Sequence, residues 1–189
     1  MGRRGLEDPL IESMRQTIDR QSQNLTRIVD ELLDVNRVAR GQFTIEKQSI
    51  DLRDVLARAV ETSRPVIDAR GHRLHLSVGD QPIECYGDPM RLAQVVVNIL
   101  NNAAKYTPDG GNIWLSAACT QSQVELRIKD NGRGIDRSSI DRIFDLFMQI
   151  DPATGSALGG LGVGLALVRR IVELHGGSVQ ALSDGAGRG

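Results

Sequence analysis

Three asparagines fall within "NILNNAAKYTPDGG", residues 98–111. Asparagine is a mediocre helix former because its amide competes for backbone hydrogen bonds. Yet the surrounding "DPMRLAQVVVNILNNAAKYT" spaces Leu92, Val95, Val96, Ile99 and Ala103 as one helical stripe. Asn98 and Asn102 are four residues apart and share a face beside that stripe, while Asn101 lies off it, where a solvent or capping role is expected. Amide oxygens are hard, neutral ligands that suit Mg²⁺, an ion that keeps waters and phosphate oxygens in its shell. Lys105, about one turn on, would bring positive charge toward a phosphate. Spacing alone leaves open the plainer alternative that these amides cap or bridge nearby backbone.

Two further stretches could carry chemistry. In "KDNGRGI", residues 129–135, Asp130 ends a strand, and Gly132 and Gly134 free the backbone for a close approach. A carboxylate there could accept a hydrogen bond from an exocyclic amine, as in reading adenine; an ordinary Asn-Gly turn is the alternative. In "GSALGGLGVGLALVRR", Gly155, Gly159, Gly160, Gly162 and Gly164 precede or open an apolar helix. Exposed N–H groups and the helix dipole make such a start fit for phosphates. The spacing is neither the dinucleotide fingerprint nor the P-loop, and a linker is the alternative.

These stretches need a scaffold. Residues 11–39 place Ile11, Met14, Ile18, Gln21, Leu25, Ile28, Leu32, Val35 and Ala39 at alternating steps of three and four, a heptad seam with one polar interruption. A helix with a single apolar stripe needs a helical partner, which favours a bundle. Gly41 is expected to stop it, and "FTIEKQSIDL" alternates as a short strand. "DLRDVLARAVETSRPVIDA" (51–69) reads as an amphipathic helix capped by Asp51. Strands follow at "RLHLSV" and "PIECYG", then the asparagine helix from about Asp88 to Tyr106. "NIWLSAA" and "QVELRIKD" form a hairpin across "CTQS", and "SVQALS" after the last helix alternates as a strand. Interleaved elements with a hairpin predict an α+β, two-layer α/β sandwich, helices on one face, preceded by one long bundle or coiled-coil helix.

Composition narrows the classes. The 189 residues are 40% hydrophobic and 25% charged, ordinary for a globular protein, and the net charge of −1 gives no field to recruit nucleic acid. Aromatics at 3% argue against a base-stacking platform, so no nucleic-acid partner is expected. Cys85 and Cys119 lack metal or redox spacing and read as reduced thiols. No run is long enough to span a bilayer and the start has no signal-peptide core, so a cytoplasmic location is expected, in a parent that a membrane anchor could hold.

In their order, the motifs resemble the ATP-binding (Bergerat-type) fold of the GHKL superfamily, and within it the sensor histidine kinases of two-component systems. "NILNNAAKYT" is similar to the N box, "DNGRGI" to the G1 box, "IFDLFMQ" to the F box and "GGLGVGL" to the G2 box. Residues 1–41 resemble the second helix of the dimerisation and phosphotransfer hairpin, and 42–189 the catalytic ATP-binding domain with its last strand truncated. The resemblance implies ATP and Mg²⁺, with Asn102 on the metal and Asn98 lining its phosphate side. It implies that Lys105 contacts phosphate, Tyr106 packs beside the nucleotide and Asp130 accepts from the adenine amine, with Gly132 and Gly134 shaping the base pocket. Phe144 and Phe147 would anchor a mobile lid, and Gly160, Leu161, Gly162, Val163, Gly164 and Leu165 would close it over the phosphates. The implied partners are the phosphoacceptor helix of the missing hairpin half, a response-regulator receiver domain and, in the intact parent, a second copy. The chain departs from the family in its histidines: His72, His75 and His175 lie outside the heptad helix, and "GLEDPL" has glycine where the acceptor histidine would stand. All three are expected to be structural and the acceptor to lie elsewhere. Two other readings stay open. One is a GHKL ATPase, against which Asn98 stands where those families place a catalytic Glu. The other is a nucleotide-gated interaction module without kinase activity.

Overall fold

A computed structural model of the chain describes residues 9–40, 42–120, 123–149 and 161–188, which divide into two compact units on either side of the Gln42–Phe43 bond. Gly41, Gly155, Gly159, Gly160 and half of the "CTQS" turn lie outside the described residues. The first unit is helix α1 (Pro9–Ala39). Ile11, Met14, Ile18, Leu25 and Leu32 of its heptad stripe are exposed, and so are Val29 and Leu33 just off it. Those two widen the apolar face toward its C-terminal half, which suits a bundle better than a narrow two-stranded seam. Among the described residues no helix is long and apolar enough to cross a membrane.

In the second unit, β1 (Gln48–Asp51) leads directly into α2 (Leu52–Ala69), followed by β2 (Arg73–Val78), β3 (Glu84–Gly87), α3 (Pro89–Tyr106), β4 (Asn112–Cys119), β5 (Val124–Asp130) and α4 (Gly164–Leu174). The starts of α2 and α3 have local causes. Asp51 Oδ1 accepts from Arg53 N and Ile83 N, both at 3.0 Å, and these backbone donors hold its carboxyl below the usual carboxylate range. Asp88 Oδ1 accepts from Met90 N and Arg91 N, and Pro89 at the first helical position needs no donor. At the other end of α3, the Arg70 Nη1 donates to the carbonyls of Ala104 and Lys105 at 3.1 and 2.8 Å, a cation on the negative helix terminus.

The main sheet has order β2-β4-β5, with β2 parallel to β4 and β5 antiparallel to it; β1 and β3 pair separately as an antiparallel ribbon. Helices α2 and α3 cover one face of the main sheet, with Leu56, Ala59, Ile67, Val96, Leu100, Ala104, Ile113 and Leu115 in the core between them. This is the expected two-layer α+β arrangement. In α3 the buried positions are Val95, Val96, Leu100, Ala103 and Ala104, with Ile99 only half-buried, because α2 and the sheet approach the helix from adjoining directions.

One expected element does not form. Residues 178–183, "SVQALS", keep the alternation of a strand, with Val179 and Ala181 half-buried and Gln180 and Leu182 exposed, but they are not paired into either sheet. A strand exists through its ladder bonds, and alternation records only which side chains find cover. Ser183 Oγ accepts from Ile135 N at 2.9 Å instead, binding this segment to the loop after β5.

Candidate nucleotide site

Helix α3 presents Asn98 toward the start of α4. Asn98 Nδ2 donates to the Gly164 carbonyl at 3.4 Å, and a Cβ at Gly164 would lie only 3.7–3.9 Å from the Asn98 amide. Asn98 Oδ1 is thereby left as an acceptor or ligand, and Asn102, half-buried one turn on, follows it along α3. α4 begins without protection: its N-cap is Val163, buried and making no side-chain cap bond. Its first-turn N–H groups, the positive end of the helix, gain nothing from a side chain there. Leu161, Gly162 and Leu165 around this start are half-buried, and Gly160 lies outside the described residues. Asn101 is not a solvent residue: its Oδ1 is buried without a hydrogen-bond partner among the described residues, in a half-buried side chain.

The far end of α3 meets the turn after β5. Asp130 Oδ1 accepts from Gly132 N at 2.9 Å, and Gly132 is packed so closely that a Cβ would meet that same oxygen at 2.6 Å and the Tyr106 carbonyl at 2.7 Å. Gly134, at φ 67°, abuts the Gly185 carbonyl, where a side chain has no room. Arg133 N donates to Tyr106 O at 3.2 Å. The half-exposed Tyr106 ring carries two cations, with Lys105 Nζ 4.7 Å and the Arg133 guanidinium 4.4 Å from its centroid. Nothing in the spacing of the motifs marks Arg133, because its contact is made between elements.

The F-box segment is fastened to α4 by different means. Phe144 is buried, with Arg169 of α4 over its ring at 4.8 Å, and Asp145 lies 3.9 Å from the same guanidinium. Phe147, the other expected anchor, leaves its ring exposed and holds on through its backbone: its N–H donates to Gly162 O at 3.0 Å, with φ at 64°. The left-handed turn at Phe147 aims the chain at Gly162, where a Cβ would meet Met148 O at 2.7 Å.

The histidines are structural. His72 is buried with Nε2 2.9 Å from Ala104 O, and His75 stacks on Trp114 with its Nε2 2.9 Å from Asn112 Oδ1. His175 Nε2 accepts from Asp88 N at 2.9 Å while Nδ1 donates to Ile171 O at 2.7 Å, tying the end of α4 to the start of α3. Asp88 Oδ2 also accepts from Glu46 N; burial pulls its carboxyl upward, but the N–H groups of Glu46, Arg91 and Met90 outweigh that and hold it below its ordinary value. A cavity of about 880 Å³ between α2 and β2 shares no residue with the motifs and is a separate feature.

Residues 87–189, more than half of the chain, match the family described as histidine kinase-, DNA gyrase B- and HSP90-like ATPases. The chain belongs to this family. The family's description makes ATP the nucleotide against which α3, the β5 turn and the start of α4 are read. The alginate biosynthesis sensor protein KinB of Pseudomonas aeruginosa is 34% identical over 89% of this chain, a match that spans 28% of KinB's length. Among solved structures, the Acinetobacter baumannii histidine kinase AdeS shares the fold over 96% of this chain and 83% of its own, with a TM-score of 0.74 at 23% identity. The mycobacterial sensor histidine kinase MprB superposes on 71% of this chain and 84% of its own, with a TM-score of 0.60 at 29% identity.

Proposed function

We propose that the chain is the catalytic, Mg²⁺-ATP-binding part of a sensor histidine kinase and transfers the γ-phosphoryl group to a histidine on a dimerisation hairpin. The observation that carries this reading is the pairing of Asn98 with the uncapped start of α4 inside the family-matched region. An amide there can ligate a metal or orient phosphate, but it cannot act as a general base toward water as a Glu would. That difference favours transfer over hydrolysis.

Among the described residues no group of three His, Cys, Asp or Glu side chains could hold a metal. The donors on offer are amide oxygens, which fits an ion that takes one or two protein ligands and fills its shell with phosphate and water. Asn102 would hold Mg²⁺ and Asn98 would line its phosphate side. Bound Mg²⁺ would supply charge neutralisation on the phosphates. Asp130 would accept from the adenine amine, held in place by its own bond to Gly132 N; Gly132 and Gly134 would wall the base, and Tyr106 would pack beside the nucleotide. Lys105 would draw the phosphates along α3. The stretch from Gly160 to Leu165 would fold over them, kept in reach by the Phe144 and Phe147 contacts. Transfer then needs an imidazole nitrogen in line with the γ-phosphorus. Its lone pair forms the N–P bond as the bond to the β–γ bridging oxygen breaks, ADP leaves and the ring sheds its proton.

The acceptor comes from outside the three histidines, which are engaged structurally. The exposed stripe of α1 would pair with a second copy and the first hairpin helix, and a receiver domain would take the phosphoryl group onward. The test is a titration with a non-hydrolysable ATP analogue with and without Mg²⁺, on wild type, Asp130→Asn and Asn102→Asp, followed by phosphohistidine detection. The expected result is Mg²⁺-dependent binding sensitive to both variants, no phosphohistidine on the chain alone, and phosphohistidine on an added hairpin bearing the acceptor. Affinity unchanged in Asp130→Asn, or steady ATP hydrolysis without transfer, would overturn the reading.

A further inference from the structure

We propose that Arg133 is a second nucleotide-facing cation which, with Lys105 across the Tyr106 ring, makes affinity depend on the number of phosphates carried by the ligand; this rests on the nucleotide reading of the site. Two cations sit within 4.7 Å of one half-exposed ring centroid, and neither shares a salt bridge with a carboxylate among the described residues. The nearest acid on the same turn, Asp130, has its Oδ1 committed to Gly132 N. Like charges gathered without a counter-ion are costly unless the site is meant to receive an anion.

The placement of Arg133 is fixed by its backbone. Its N–H donates to Tyr106 O at 3.2 Å and its carbonyl accepts from Gly187 N at 2.5 Å, between two glycines that have no room for a side chain. The exposed guanidinium stacks on the phenol ring. Stacking uses the face of the guanidinium and leaves its edge donors in water, in the fork geometry that grips phosphate oxygens. A ligand whose base is held at Asp130 and whose phosphates run toward Asn98 would leave the exposed edge of this guanidinium free to meet its anionic part. In this proposal Arg133 answers to phosphate charge, while Asp130 reads the base.

The test is calorimetric binding of adenosine, AMP, ADP and ATP to the wild-type chain and to Arg133→Gln, Arg133→Lys and Asp130→Asn, each at low and high salt. Arg133→Gln is expected to leave adenosine affinity unchanged and weaken ATP about tenfold, the scale of one solvent-facing charged contact, with ADP between. Its ATP affinity should also lose part of the wild-type salt dependence, and Arg133→Lys should recover part of the loss. Asp130→Asn should instead weaken all four ligands alike. If Asp130→Asn does so but Arg133→Gln weakens adenosine and ATP equally, or neither, the role of Arg133 is overturned while the site stands. If the wild-type chain binds none of the four, or Asp130→Asn changes nothing, the nucleotide reading fails and Arg133 with it.

Discussion

Between Asp130 and Ile135 the backbone is tied down at nearly every step: Gly132 N to Asp130 Oδ1, Arg133 N to Tyr106 O, Ile135 N to Ser183 Oγ. At the start of α4, by contrast, an apolar Val163 occupies the cap position, and the Asn98 amide makes one long bond of 3.4 Å. The first region is finished by the protein itself and matches a rigid ligand part such as a purine ring. The second leaves donors and ligands unspent, which suits a flexible, charged group that brings its own acceptors. Preorganisation at one end and incompleteness at the other would let a nucleotide be selected by its base and held by its phosphates.

The comparison breaks most visibly at the finished end. Asp130→Asn keeps an oxygen for Gly132 N but removes the charge, and ATP-analogue affinity is expected to fall about 100-fold by calorimetry. Next is the seam between the F-box segment and α4. Gly162→Ala forces a side chain into a left-handed position (φ 71°) against Met148 O, and should cost about 3 kcal/mol in chemical denaturation. Gly176→Ala, also left-handed (φ 83°) but with nothing near its Cβ, isolates the backbone part at about 1 kcal/mol.

The brace between the two helices comes third. Asp88→Ala removes the α3 cap and the acceptor for Glu46 N, and is expected to cost about 2 kcal/mol. Because the folded state holds this carboxyl below its ordinary value, its contribution is complete above the unfolded pKa of about 3.9 and fades as pH falls through the folded one. Asp88→Asn, which does not titrate, should flatten the stability profile below about pH 4. The smallest effect expected is at the open end. Asn98→Ala should lower ATP affinity about fivefold with Mg²⁺ present and hardly at all without it. Equal losses in both conditions would place Asn98 away from the metal side.

What the sequence made legible was whatever acts locally. Asn98 and Asn102 share a face because helices repeat every 3.6 residues, and Asp51 caps because an acid precedes an apolar run. The glycines at 132 and 134 advertised close approach, and each is packed against another segment. Contacts between distant elements were not legible. Arg70 reaching the end of α3, Arg133 stacking on Tyr106 and Asn101 buried off its expected face depend on how α2, α3 and the β5 turn come together. Residues 178–183 show the same limit from the other side. Their alternation is real, but a pattern of cover does not supply a neighbouring strand.

Val163 also bears on how long the first turn of α4 stays wound. A helix whose leading amides lack acceptors opens from that end, so those amides should exchange with solvent far sooner than the ones around Leu167 and Ile171, which are buried. A bound polyanion would close that end as a cap does, converting occupancy into slower exchange and a higher melting temperature. The missing cap thus makes the helix a reporter of its own ligand.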